Sequence, residues 1–294
     1  MGTSNSYGGA GGGTPLIPSW LGGGAASPDG GPPVPPPNPP ATQPGTPPAV
    51  PNPPALPAMP VSGDVGRYTS ARNNFSRYAR SGGSDRTSLG RAVSSYVSTT
   101  AGGSRTAAQR MGASRTAGAR LAGFLSGAAA NGPLAALRSL NLENLAGRPI
   151  EEVFIGLVDY ICPDGGTIDD GIARDAFIET IGDLAQNGIT DIDNLTAVQM
   201  QTIFELYAAH SIEARLCNDI GTKAISLPAN PAAAARIQAQ LLDFIRRGVS
   251  DALTAARTTM QTLTPDRVLG FVTGIYEQAF FILQTMGDAE AEAQ

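Results

Sequence analysis

Glycine and proline crowd the first fifth of the chain, and that crowding decides how much of it can fold. Residues 1–60 hold 18 of the 24 prolines and 12 of the 36 glycines, with Asp29 as the single charge. Such a stretch has no amphipathic period and too few large apolar groups to offset the entropy of ordering it. A disordered arm and tether are expected there, and the remaining residues are long enough to bury a core. Four regions follow: a flexible Gly-rich arm with an apolar anchor (1–27), a Pro-rich tether (28–60), a basic helical region (61–131) and an acidic all-α core domain (132–294).

Charge is partitioned as well. Residues 61–140 carry 11 Arg against Asp64 and Asp85, while 141–294 carry 22 acids against 8 Arg and Lys223. A basic middle followed by an acidic end points to mutual docking or to separate partners. The longest run of large apolar residues is Phe280 to Leu283, so no membrane span is expected. The first residues lack the basic and apolar regions of a secretory signal. Cys162 and Cys217 make no disulfide framework, and a reduced cytoplasm is the simpler reading. A Cys/His zinc pattern is excluded with a single histidine.

Within the arm, Leu16, Ile17, Trp20 and Leu21 form the only apolar cluster and include the single Trp. Aromatic side chains dominate interface hot spots, so this anchor docks either on a partner or on the chain's own body. The Pro-Pro pairs of 28–60 favour polyproline II, a semi-rigid spacer reaching on the order of 100 Å.

From Val61 onward the periodicity is helical and no alternating strand run occurs. Tyr68, Phe75 and Tyr78 mark one helix, and Ser84 opens a second that carries Leu89, Val93 and Tyr96. Arg105, Arg110, Arg115 and Arg120 recur every five residues; each step turns about 140° on a helix, so they spread around the axis and make no groove-binding stripe. Thr167 with Asp170, and Thr196 with Gln199, read as capping boxes. Asn230-Pro231 and Thr264-Pro265 read as N-cap followed by Pro at the first helical position. The last helix is apolar on nearly every side, as is a helix that is central to a core or covered by another chain. The expected fold is an all-α helical bundle body behind a disordered Gly/Pro-rich arm.

The densest polar cluster runs from His210 to Lys223. His210, Glu213 and Cys217 share one helix side, and Arg215, Asp219 and Lys223 form an i, i+4, i+8 ladder. The ladder is what surface or interhelical ion pairs look like, and the cluster lacks the second carboxylate–histidine helix of a metal site. A structural polar network is expected of these residues, with no metal, no cofactor and no catalytic group. No nucleophile elbow, phosphate-binding loop or dinucleotide fingerprint occurs. The other end of the chain holds chemistry: removal of Met1 leaves a Gly2 amine on a thin unbranched arm. An α-amine has a pKa near 8, so part of it is unprotonated and nucleophilic at neutral pH. Gly2 with Ser6 also fits an N-myristoylation pattern, but no basic patch follows.

Several strings resemble the QatB family of the four-component Qat anti-phage defence systems. They are Met1-Gly-Thr-Ser4, Pro15-Leu-Ile-Pro-Ser-Trp20, Arg72-Asn-Asn-Phe-Ser-Arg77, Gly82-Gly-Ser-Asp-Arg86 and Gly102-Gly-Ser-Arg-Thr-Ala107. The resemblance is strongest in Gly147-Arg-Pro-Ile-Glu-Glu-Val-Phe154, Cys162 to Arg174, and His210 to Lys223. It implies co-operation with an ATPase, a QueC-like enzyme and a TatD-like nuclease in bacterial defence. QueC-type enzymes use ATP to activate a 7-deazaguanine carboxylate that ammonia then attacks. With the Gly2 amine in place of ammonia, the product is an amide joining base and protein. On this reading Gly2 is the acceptor, Thr3 and Ser4 contact the partner's pocket, and Leu16 to Leu21 anchor the arm. Two alternatives stand beside it: a pure scaffold whose arm gates the partner's site, and a nucleic-acid sensor using the Arg-rich region from Arg67 to Arg120.

Overall fold

Local capping chemistry sets where the helices begin. The structure, a computed structural model, describes residues 66–221, 230–256 and 267–293. Gly2, Thr3, Ser4, Leu16, Ile17, Trp20, Leu21, the Pro-rich tether, Lys223 and Thr264-Pro265 lie outside the described residues. Among the described residues every regular element is helical. The α-helices are α1 (Thr69–Arg80), α2 (Arg86–Ser95), α3 (Ser104–Gln109), α4 (Gly112–Asn131), α5 (Pro133–Arg138), α6 (Ile150–Ile161), α7 (Ile168–Leu184), α8 (Ala197–Ile220), α9 (Pro231–Ala255) and α10 (Val268–Glu292), with a π-helical turn at Tyr96–Thr100 and short 3-10 turns at Glu143–Leu145 and Ala185–Asn187.

Both capping boxes form: Thr167 and Asp170 exchange side-chain and backbone hydrogen bonds at the start of α7, as Thr196 and Gln199 do at α8. Asn230 caps α9 ahead of Pro231. At α2 the start differs by one residue from the sequence expectation. Asp85, not Ser84, is the cap, because its carboxylate accepts from both the backbone N–H and the hydroxyl of Ser88.

The described helices belong to one compact unit spanning Met59–Gln294, built around two hydrophobic clusters. The first gathers Phe75 and Tyr78 of α1, Leu89 and Val93 of α2, Phe244 and Ile245 of α9, and Val272, Tyr276 and Phe280 of α10. The second gathers α4, α6 and α7 through an aromatic chain. Phe124 meets Phe154 edge-on at 6.5 Å, Phe154 stacks on Phe177 at 5.7 Å, and Phe177 meets Tyr207 at 6.2 Å. Helix α8 supplies both clusters: Ile203 and Tyr207 face the second, and Phe204, Ile212, Leu216 and Ile220 face the first.

Several arginines of the basic stretch bond to neighbours within this body. Arg72 donates to the Ile220 carbonyl at the end of α8, and Arg120 to the Ile161 carbonyl at the end of α6. Helix ends leave four carbonyls without intrahelical partners, and cations there also oppose the helix dipole. Arg105 pairs with Glu277 and Arg86 with Glu290, both on α10. Arg115 donates to Thr273 and to the Gln109 carbonyl, and Arg110 to the Thr100 carbonyl.

Helix α10 lies most extensively along α2. The two backbones meet at a pair of glycines: a Cβ added at Gly90 would stand 2.6 Å from the Gly287 carbonyl oxygen, and one at Gly287 would stand 2.5 Å from that of Gly90. Alanine is the better helix former by about 1 kcal/mol, so propensity alone favours Gly→Ala at both positions. Overpacking costs about 1–3 kcal/mol and the obstructing atoms are backbone. Gly90→Ala and Gly287→Ala are therefore each expected to lower the urea midpoint, and a rise in either would show that the helices separate freely.

Candidate functional site

The His210–Asp219 stretch of α8 divides into two polar groups on different sides of the helix. On one side Arg215 bridges α8 to the start of α7. Its guanidinium lies 2.6 Å from Asp169 and 3.1 Å from Asp219, and Tyr96 donates to the other oxygen of Asp219 at 3.0 Å. The paired carboxylates hold Arg215 above its ordinary range against the opposing effect of burial, and burial pushes the Tyr96 phenol far up. These groups neutralise one another inside a helix junction, which fixes the register of α8 against α7 and the turn after α2.

On the other side His210 is buried, with Nε2 2.9 Å from Oδ2 of Asp183 on α7 and Nδ1 3.9 Å from Glu213. The ring N–H donates to the Asp183 carboxylate. Glu213 is 6 % exposed, and one of its carboxylate oxygens has no hydrogen-bond partner among the described residues. Burial, with the like charges of Glu179 and Asp183, pushes its pKa up to about 7, against a lowering hydrogen bond from Gln238 of α9. Burial and the neighbouring Glu213 push the Cys217 thiol up to about 12, and burial does the same to Cys162. Thiolate, the nucleophilic form, is scarce at either position at neutral pH. Among the described residues no group of three or more His, Cys, Asp or Glu is placed to hold a metal ion.

His210, Glu213 and Cys217 thus meet one cavity, as their helical spacing predicts, and Arg215 and Asp219 meet each other. Sequence reasoning missed Asp183, Glu179 and Gln238. Their positions on α7 and α9 carry no local signal, since only the packing of three helices brings them to Glu213. Two of the strings quoted above also gain a physical role. Arg174 donates to the Cys162 carbonyl and pairs with Asp159, while the Cys162 thiol donates to the Ala173 carbonyl, closing the α6–α7 corner. Arg148 pairs with Glu152, and the Ile150 N–H donates to the Thr190 carbonyl.

Glu213 gives a pH signature. Its folded pKa lies above the unfolded value, so the folded chain holds the proton more tightly. The stability that this group allows is fully present below about 4.5 and is lost as pH rises to about 7. His210 and Cys217 on α8, Glu179 and Asp183 on α7, Gln238 on α9 and Tyr78 on α1 surround it. Glu213→Gln keeps the shape and removes the ionisation. It is expected to match the parent near pH 4.5 and to exceed it by on the order of 2 kcal/mol at pH 8, measured by urea unfolding at both values.

A protein-family model described as QatB, Qat anti-phage system associated protein, matches residues 102–283. No curated protein and no solved structure matches the chain. The matched range runs from the loop before α3 into α10 and holds the whole of α8 with every member of its two polar groups except Tyr96. The chain belongs to the QatB family and is a component of an anti-phage defence system.

Proposed function

We propose that the protein is a non-catalytic, cytoplasmic component of its defence complex that binds a QueC-like partner enzyme and presents Gly2 to it as a substrate. The reading is carried by the order of residues at the start of the chain. A small Gly2 follows Met1, thin Gly/Ser residues follow Gly2, and one apolar cluster, Leu16 to Leu21, stands downstream as an anchor. Membership of a multi-component defence system supports the existence of partners.

The step balances as an acyl transfer. ATP activates the carboxylate of a 7-deazaguanine in the partner's site. The lone pair of the unprotonated Gly2 amine attacks that carbon, the activating group leaves, and one amine proton is lost as the amide forms. A terminal amine with a pKa near 8 supplies this lone pair at neutral pH more readily than a lysine at about 10.4. On this reading Thr3 and Ser4 are contacts to the partner's pocket.

Intact-mass and peptide spectrometry of protein co-expressed with its QueC-like partner tests the chemistry. The expected result is an added mass confined to the peptide that begins at Gly2, lost when the partner's ATP site is disabled. An N-terminus that stays unmodified Gly2 overturns it. Deleting residues 2–21 separates this reading from a scaffold. Defence is expected to fall while the complex still assembles, whereas loss of assembly would assign the arm a scaffolding role.

A further inference from the structure

Two cavities meet at Glu213, and their linings differ. The first, about 400 Å³, lies between α7, α8 and α9 and is walled by Asp175, Glu179, Asp183 and His210, with no Lys or Arg among its described residues. The second, about 500 Å³, lies between α1, α8 and α9 and is walled chiefly by Phe75, Tyr78, Ile237 and Leu241. Glu213, Cys217, Ala235 and Gln238 belong to both walls. Binding sites for small molecules have this size and this make-up, an apolar body with a few convergent polar groups.

We propose that the cavities around Glu213 form a binding site for a small organic cation with an apolar body, an aryl-alkyl amine in the simplest case. The apolar part enters the cavity of Phe75 and Leu241, and the cationic nitrogen pairs with the carboxylate of Glu213, which lines both cavities. Asp183 and Glu179 add negative potential on the open side. A neutral apolar ligand would leave the Glu213 carboxylate without a counter-charge, and an anion would meet four carboxylates with no Lys or Arg in the wall. Charge-assisted hydrogen bonds are worth about twice neutral ones, so the head group decides selectivity and the cavity sets size. Burial holds part of Glu213 protonated near neutral pH; an arriving ammonium displaces that proton, and affinity falls as pH drops below 7. The proposal is independent of the arm and stands whether or not Gly2 is modified.

Tryptamine and tryptophol, which differ only in amine against hydroxyl, are suitable probes for calorimetric titration of the full chain at pH 8. Tryptamine is expected to bind at least about tenfold more tightly than tryptophol. Glu213→Gln is expected to bring the two within about twofold, and Ala234→Phe, which fills the apolar cavity from α9, to weaken both. Thermal unfolding of each variant establishes that it is folded before titration, and Glu213→Gln alone suffices for the comparison. Equal affinity for the two probes, no heat from either at millimolar concentration, or selectivity that survives Glu213→Gln would each overturn the proposal.

Discussion

Helix α8 is buried along two sides at once, and most of the body follows from that. Its 24 residues place Ile203 and Tyr207 in one cluster and Phe204, Ile212, Leu216 and Ile220 in the other. A helix between two cores cannot turn its polar side chains to water, and each buried group without a partner costs about 1–3 kcal/mol. The partners must then come from neighbouring helices. Ser211 hydrogen-bonds Tyr276 of α10, Tyr207 donates to the Ser114 carbonyl of α4, His210 meets Asp183 of α7, and Arg215 meets Asp169 at the start of α7. Each bond fixes the rotation of α8 against one neighbour. The apolar surfaces supply the driving force and the polar bonds select the register.

The charge partition has a structural answer of the same kind. The basic stretch contributes guanidinium groups that end helices of the acidic stretch, Arg72 at Ile220 and Arg120 at Ile161, and it pairs with α10 through Arg86 and Arg105. The carbonyl contacts are partly buried and act at defined helix ends, whereas the pairs on α10 are exposed and contribute little energy. Part of the asymmetry seen along the sequence is thus met inside one body. Arginine suits this work, because its planar fork meets carbonyl and carboxylate oxygens at fixed angles and stays charged when half-buried.

What could be read from the sequence was local. Thr196 and Gln199 stand three residues apart, and their reciprocal bonds need nothing beyond that turn. The same holds for Thr167 with Asp170 and for Asn230 ahead of Pro231. The shared side of His210, Glu213 and Cys217 follows from helical geometry alone. Contacts across long sequence separations were not legible. Nothing near Gly90 announces that it faces Gly287, and nothing near His210 points to Asp183. Glu213 reads as an ordinary helical carboxylate until α7 and α9 close over it, and only then does its ionisation become costly. The error of one residue at α2 is instructive in the same way. Ser84 and Asp85 are both good caps, and the hydroxyl of Ser88 adds a second bond that selects Asp85.

The residues matched by the family, 102–283, do not hold the whole of the first core. They omit α1 and α2, which give the first core Phe75, Tyr78, Leu89 and Val93, and they stop before Gly287, where α10 meets Gly90. Without α1 and α2 the apolar faces of α9 and α10 would stand in water and the Ile220 carbonyl would lose Arg72. The cavity at Glu213 is divided in the same manner. Its carboxylate and Gln238 lie within the matched residues, while Phe75 and Tyr78 come from outside them. Head-group recognition therefore belongs to the part that defines the family, and the apolar wall is shared between α9 inside that part and α1 outside it.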